Sequence, residues 1–148
     1  MATIFDVAKY FLEKLGPLSG RKLQKLCYYA QSWHLAWTGE PLFNENFEAW
    51  IYGPVCPELR AFHKEKDADI YEVPFEFFDE FNYEFTEDQL ESLNIIIKDY
   101  GHMTPLELTD QTHIEFPWKN ARGTLSHNEK GKTVITKESM KTFYKGLL

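Results

Sequence analysis

From Ser19 to Trp37 the residues Leu23, Leu26, Cys27, Ala30, Trp33, His34 and Trp37 recur at three- and four-residue steps, which is one face of an α-helix. Tyr28, Tyr29, Leu35 and Ala36 widen that face until little of the second half is left for solvent. The pattern predicts a central, nearly buried helix against which the rest of the chain must pack. Its first turns carry Arg21, Lys22 and Lys25, at the end where the helix dipole is already positive, so each cation costs roughly a few tenths of a kcal/mol. Such residues mark either an anion-binding patch or, more simply, a solvated helix entrance.

A chain of 148 residues fits one domain, taken as 1–148, and that size buries a core without staples. Its 12 Phe, 8 Tyr and 4 Trp supply large buried surfaces and argue against disorder. No internal repeat is visible. No apolar segment follows a basic N-terminal stretch, and no run approaches the ~20 residues that cross a bilayer, so neither a leader nor membrane association is expected and the expected location is cytoplasmic. Cys27 and Cys56 stand alone and are expected to be core thiols; no disulfide framework or zinc site is expected.

Thr3 is placed to cap a helix with the stripe Val7, Ala8, Phe11, Leu12 and Leu15, which Gly16-Pro17 stops. Ser19 then caps the central helix and Thr38-Gly39 ends it, making the two helices antiparallel neighbours. From Glu40 the period changes. Pro41 to Phe43, a turn at Asn44 to Asn46, and Phe47 to Tyr52 read as a small hairpin, broken by Gly53-Pro54-Val55. Pro57 opens a short helix to about Lys64. Thr86 with Gln89, and Thr104 with Glu107, are capping boxes opening two more helices, the first ending at Tyr100-Gly101. Thr124 to Gly131 is polar and is the candidate mobile loop, and Thr136 caps a last helix carrying Met140, Phe143, Tyr144 and Leu147. The expected fold is mainly α (α+β): a compact helical domain around a central buried helix, with a small β-hairpin.

Charge is segregated along the chain. Glu65 to Glu91 holds eleven acids against Lys66 alone, interleaved with Tyr71, Phe75, Phe77, Phe78, Phe81, Tyr83 and Phe85, whereas Phe116 onward holds seven bases and two acids. A disordered acidic tail is poor in aromatics, so this segment is expected to have apolar anchors. The simplest expectation is that the acidic middle and basic end pack near each other.

None of His34, His63, His102, His113 and His127 stands in a metal-ligand spacing, and no glycine-rich loop cradles phosphate. No metal, cofactor or catalytic residue is expected. His113 with Glu115 is the best acid-base pair, both on one face if the segment is extended, but no Ser or Cys nucleophile is identifiable beside them. A structural hydrogen-bonding role for His113 is the simpler reading. With a pI near 5.2, direct nucleic-acid binding is not expected.

Three pieces of the sequence together resemble the Panacea family, the SocA-like antitoxin domains. They are Lys22 to Gln31 (KLQKLCYYAQ), then Pro41-Leu42-Phe43 leading into Phe47 to Val55 (FEAWIYGPV), then Leu108 and Thr112-His113 with Pro117-Trp118. By that resemblance Lys25, Tyr28, Tyr29, Trp50, Tyr52, Gly53, Pro54, Val55, Thr112, His113, Pro117 and Trp118 are family-motif positions. It implies a mostly helical domain of bacteria, phages and mobile elements, often the antitoxin of a toxin-antitoxin pair. Some members carry an additional DNA-binding domain; with the first helix expected at Ile4, none is expected here. For Trp50 and Trp118 a core role is favoured.

These features lead to a non-enzymatic module that neutralises a protein partner, a cognate toxin, by direct binding. Glu72, Glu76, Asp79, Glu80 and Glu84 are the expected partner-binding residues, steering encounter by charge. The alternatives are a phage or prophage inhibitor of a host protein, acting if need be as an acidic DNA mimic, and a small hydrolase using His113 and Glu115.

Overall fold

The computed structural model describes residues 1–65 and 72–148; Lys66 and Tyr71, counted above in the acidic stretch, lie outside the described residues. The described residues form seven α-helices: α1 (Ile4–Leu15), α2 (Gly20–Thr38), α3 (Pro57–Glu65), α4 (Glu87–Tyr100), α5 (Pro105–His113), α6 (Phe116–Arg122) and α7 (Lys137–Lys145). Five short strands accompany them: β1 (Leu18–Ser19), β2 (Phe47–Trp50), β3 (Gly53–Val55), β4 (Glu72–Val73) and β5 (Val134–Ile135). The architecture is mainly α with some β.

Helix α2 is the axis. Fourteen of its 19 residues are buried, and α1, α3, α4, α5 and α7 all pack on it. Side-chain caps close the helix starts as their sequences require: Thr3 with Asp6, Thr86 with Gln89 and Thr104 with Glu107 form reciprocal capping boxes, and Ser19 and Thr136 each accept an N3 amide. Cys27 and Cys56 are free buried thiols. Burial pushes the Cys56 thiol up to about 12, so both act as small core groups. Trp37, placed on the buried face by its spacing, is 36% exposed and stacks on Trp33 in the last turn of α2.

The hairpin differs from expectation. Pro41 to Phe43 is not a strand: the Gln31 side chain satisfies its backbone, Oε1 accepting from Leu42 N at 2.7 Å and Nε2 donating to Phe43 O at 2.7 Å. Gly53 to Val55 does not break the hairpin but is its second strand, with Trp50 opposite Gly53 and Glu48 opposite Val55. Gly53 accepts φ 110°, closed to most L-residues, and so permits the turn at Ile51-Tyr52. β5 adds to the other edge of β2, Phe47 opposite Ile135, and β1 pairs with β4. Neither pairing shows in local sequence, since two-residue strands carry no period.

Phe116 to Arg122, unassigned by the sequence reading, is a helix with Pro117 in its first turn. Arg122, buried, braces the polar segment after it by donating to Ser126 O at 2.9 Å and Glu129 O at 2.6 Å. The candidate mobile loop is thus tied down by a side chain preceding it. The acidic segment rests on α1 through Phe75–Phe78, whereas α7 rests on α2 and α6. The expected pairing of acidic middle with basic end gives way to aromatic packing: Phe81 stacks on Phe5 at 4.9 Å and Phe78 meets Phe62 at 4.9 Å.

Candidate functional site

The residues of the three sequence pieces converge at the N-terminal half of α2. From α2 come Lys25, Tyr28 and Tyr29; from the β2-β3 hairpin Trp50, Tyr52, Gly53, Pro54 and Val55; from α5 Thr112 and His113; from α6 Pro117 and Trp118. The hairpin lies against α2 so closely that a Cβ on Gly53 would stand 2.7 Å from Lys25 Cε and 2.9 Å from Thr112 Oγ1. α6 holds the hairpin from the other side, Trp118 Nε1 donating to Trp50 O at 2.8 Å and Arg122 Nη1 to Ala49 O at 3.3 Å. Trp118 is buried as expected; Trp50 is only half-buried, its Nε1 turned outward to Glu48 Oε1 at 2.8 Å, and Tyr52 is exposed.

Two buried polar centres lie within this convergence. Glu115 is 6% exposed and its Oε1 accepts from Tyr29 Oη at 2.8 Å and Tyr144 Oη at 2.7 Å, while Oε2 accepts from Gln111 Nε2 at 3.1 Å. A carboxylate with three donors is a satisfied structural hub joining α2, α5 and α7. Burial first, and then the Glu115 charge, raise Tyr29; burial likewise raises Tyr144 far above the ordinary phenol range. Both stay protonated as donors.

The expected His113 and Glu115 pair is not formed. His113 ends α5 and stacks on Trp118 with ring centroids 4.0 Å apart, near His127. His113 is still in α5 and Ile114 keeps a helical backbone (φ −94°, ψ −3°), so the extended alternation that would put the two residues on one face does not arise. His113 hydrogen-bonds with the Ile51 backbone, and burial, followed by the charges of His127 and Lys25, lowers its pKa. Its Nε2 is buried without a partner among the described residues.

Lys25 is the second centre. It is 1% exposed, and no described residue gives its Nζ a hydrogen bond or counter-ion. Burial, with the charge of Arg21 adding to it, holds its pKa down at about 7. Next to it the Gln24 amide grips the Cys56 backbone at both ends, donating to Cys56 O at 3.2 Å and accepting from Cys56 N at 2.8 Å. The simpler reading of the α2 entrance as solvated fails for Lys25, which is enclosed; Arg21 is exposed, and the half-buried Lys22 donates from Nζ to Gly101 O at 2.8 Å. The buried amides Gln24 and Gln31 were legible as polar interruptions of an apolar face, which must find partners; Arg122 carried no such signal.

Residues 23–119 match the family described as Antitoxin SocA-like, Panacea domain. The chain belongs to this family. The match takes in the convergent residues from Lys25 to Trp118, but not Arg122 or Tyr144. Antitoxin SocA of Caulobacter vibrioides (strain NA1000 / CB15N) is similar to this Panacea domain, 46% identical over 55 residues, which are 34% of this chain and 29% of SocA. The match therefore spans less than a third of the length of that curated relative. No solved structure matches.

In this Panacea domain the acids Glu72, Glu76, Asp79, Glu80 and Glu84 are all exposed, on β4, the short 3-10 turn Phe75–Phe78 and the extended chain after it. The interleaved rings are mostly spent inward: Phe78 is buried, Phe77, Phe81 and Phe85 pack on the core, and Phe75 is 37% exposed. Lys9 Nζ fastens the segment, donating to Phe81 O at 2.7 Å. Among the described residues no group of three or more His, Cys, Asp or Glu side chains converges to hold a metal. No helix of the described residues is long and apolar enough to cross a membrane.

Proposed function

We propose that this Panacea domain is a non-enzymatic antitoxin that neutralises a protein toxin by direct binding, with the exposed acids Glu72, Glu76, Asp79, Glu80 and Glu84 steering the encounter. The family match over residues 23–119 carries this reading, and the likeness to Antitoxin SocA supports it. The acidic face suits a basic partner: carboxylates held outward by inward-packed rings form a fixed negative surface that raises the rate of encounter. Cytoplasmic action follows from the same reading. The non-enzymatic reading is supported by Glu115, whose oxygens already accept from Tyr29, Tyr144 and Gln111.

The test is co-expression with the product of the adjacent gene in a growth assay, followed by co-purification. Rescue of growth together with a stable complex supports the proposal. Rescue without a complex overturns direct binding. A His113→Gln variant is expected to rescue like the wild type; its failure with unchanged stability would restore a catalytic reading.

A further inference from the structure

We infer that the cavity at the N-terminus of α2 binds a phosphate-bearing small molecule of nucleotide size, its phosphates against Lys25 and Arg21 and a planar ring beside Trp50 and Tyr52. This goes beyond antitoxin action and does not depend on it. The cavity measures about 830 Å³, within the range of small-molecule sites. Among the described residues, the lining side chains that can carry charge near neutral pH are all basic: Arg21, Lys25, Arg60, His63, Lys130 and Lys132. Among the described residues no carboxylate lines it, in a chain whose net charge is −7.

Lys25 makes this more than a basic patch at a helix end. A buried ammonium needs a partner or loses its proton. This one is enclosed, opens on the cavity, and has neither hydrogen bond nor counter-ion among the described residues. The groups that face it add positive charge: Arg21 on its own helix, and His113 from α5 when protonated. The start of α2 lines the same cavity through Ser19 and Gly20; the Ser19 hydroxyl accepts from Lys22 N–H at 3.2 Å, and the earlier N–H groups have no intrahelical acceptor. A multiply charged anion entering here is met by the ammonium, the guanidinium and the helix end together. A single carboxylate would leave most of that charge unanswered.

The aromatic walls indicate what accompanies the phosphates. Trp50 and Tyr52 line the cavity, and guanidinium groups already lie over them, Arg21 4.4 Å from the Tyr52 centroid and Arg60 5.2 Å from that of Trp50. This layering of planar cation and ring extends naturally to a heterocycle. A long nucleic acid is disfavoured, since the acidic surface elsewhere would repel its backbone.

Isothermal titration of the full chain at 0.15 M NaCl with pyrophosphate, ADP, adenosine and a ten-nucleotide oligo-dT tests the inference. Pyrophosphate and ADP are expected to bind, ADP at least tenfold tighter, with adenosine silent at millimolar concentration. Lys25→Met and the exposed-site Arg21→Glu should each weaken ADP binding at least tenfold while melting cooperatively, and Lys98→Met, on the solvent face of α4, should leave it unchanged. Absence of ADP binding at millimolar concentration, equal binding of adenosine and ADP, or wild-type affinity in both pocket variants would overturn it. Tighter binding of oligo-dT than of ADP would overturn the small-molecule assignment in favour of nucleic acid.

Discussion

The backbone of Gly53 lies directly on the side chain of Lys25, so close that a Cβ on the glycine would stand 2.7 Å from Lys25 Cε. The hairpin turn and the buried cation are therefore one unit, and the glycine answers to two constraints at once. It takes φ 110° and it leaves room for a side chain from another element.

Gly53→Ala tests that unit. Left-handed strain costs on the order of 1–3 kcal/mol, and the clash adds to it. A drop of roughly 2 kcal/mol or more in urea stability is expected. Adding Lys25→Ala should recover the part of the clash that the lysine makes and leave the parts due to Thr112 Oγ1, 2.9 Å from the added Cβ, and to φ. A double variant no more stable than Gly53→Ala would show that the lysine is not what the glycine accommodates.

Lys25 also predicts a pH dependence. Its folded pKa, about 7, lies below the unfolded value of roughly 10.4, so the unfolded chain takes up the proton first. Wild-type stability should rise as pH climbs from 7 toward 10, by at most about 5 kcal/mol from this group. Lys25→Met removes that slope, so the variant should be the more stable near pH 7 and the difference should shrink by pH 10. Parallel stability curves from chemical denaturation would refute the unpaired cation.

Glu115 is predicted to be structural. Glu115→Ala strands the hydroxyls of Tyr29 and Tyr144 in the core, at about 1–3 kcal/mol for each unmade bond. Glu115→Gln keeps an acceptor oxygen and should cost clearly less. Thermal melts of the two variants and of Tyr144→Phe check this; equal losses for Gln and Ala would mean that charge, not hydrogen bonding, holds the hub.

The acidic face makes a kinetic prediction. Replacing Glu72, Glu76, Asp79, Glu80 and Glu84 by Gln should slow association with the toxin and flatten its salt dependence, since screening shortens from ~10 Å at 0.1 M salt to ~3 Å at 1 M. Melting should hardly change, because the five carboxylates are exposed. Stopped-flow traces that are identical for variant and wild type at every salt concentration would remove these residues from the interface.

What the sequence determined by itself is the set of features that depend on neighbours within one or two turns. The stripes of α1 and α2, the capping boxes at Thr3, Thr86 and Thr104, and the closing glycines Gly16 and Gly39 are local chemistry, and each stands where its residues place it. Tertiary structure decided whatever required a partner far along the chain. Gln31 supplies the hydrogen bonds that keep Pro41 to Phe43 out of a strand, β5 arrives from residue 134 to complete the sheet, and Tyr144 crosses to Glu115. The burial of Lys25 belongs to this second kind. Its position on α2 shows only that a cation begins a helix; the close backbone of Gly53 arrives from the β2-β3 hairpin, and desolvation is a property of what surrounds a charge, not of the helix that carries it.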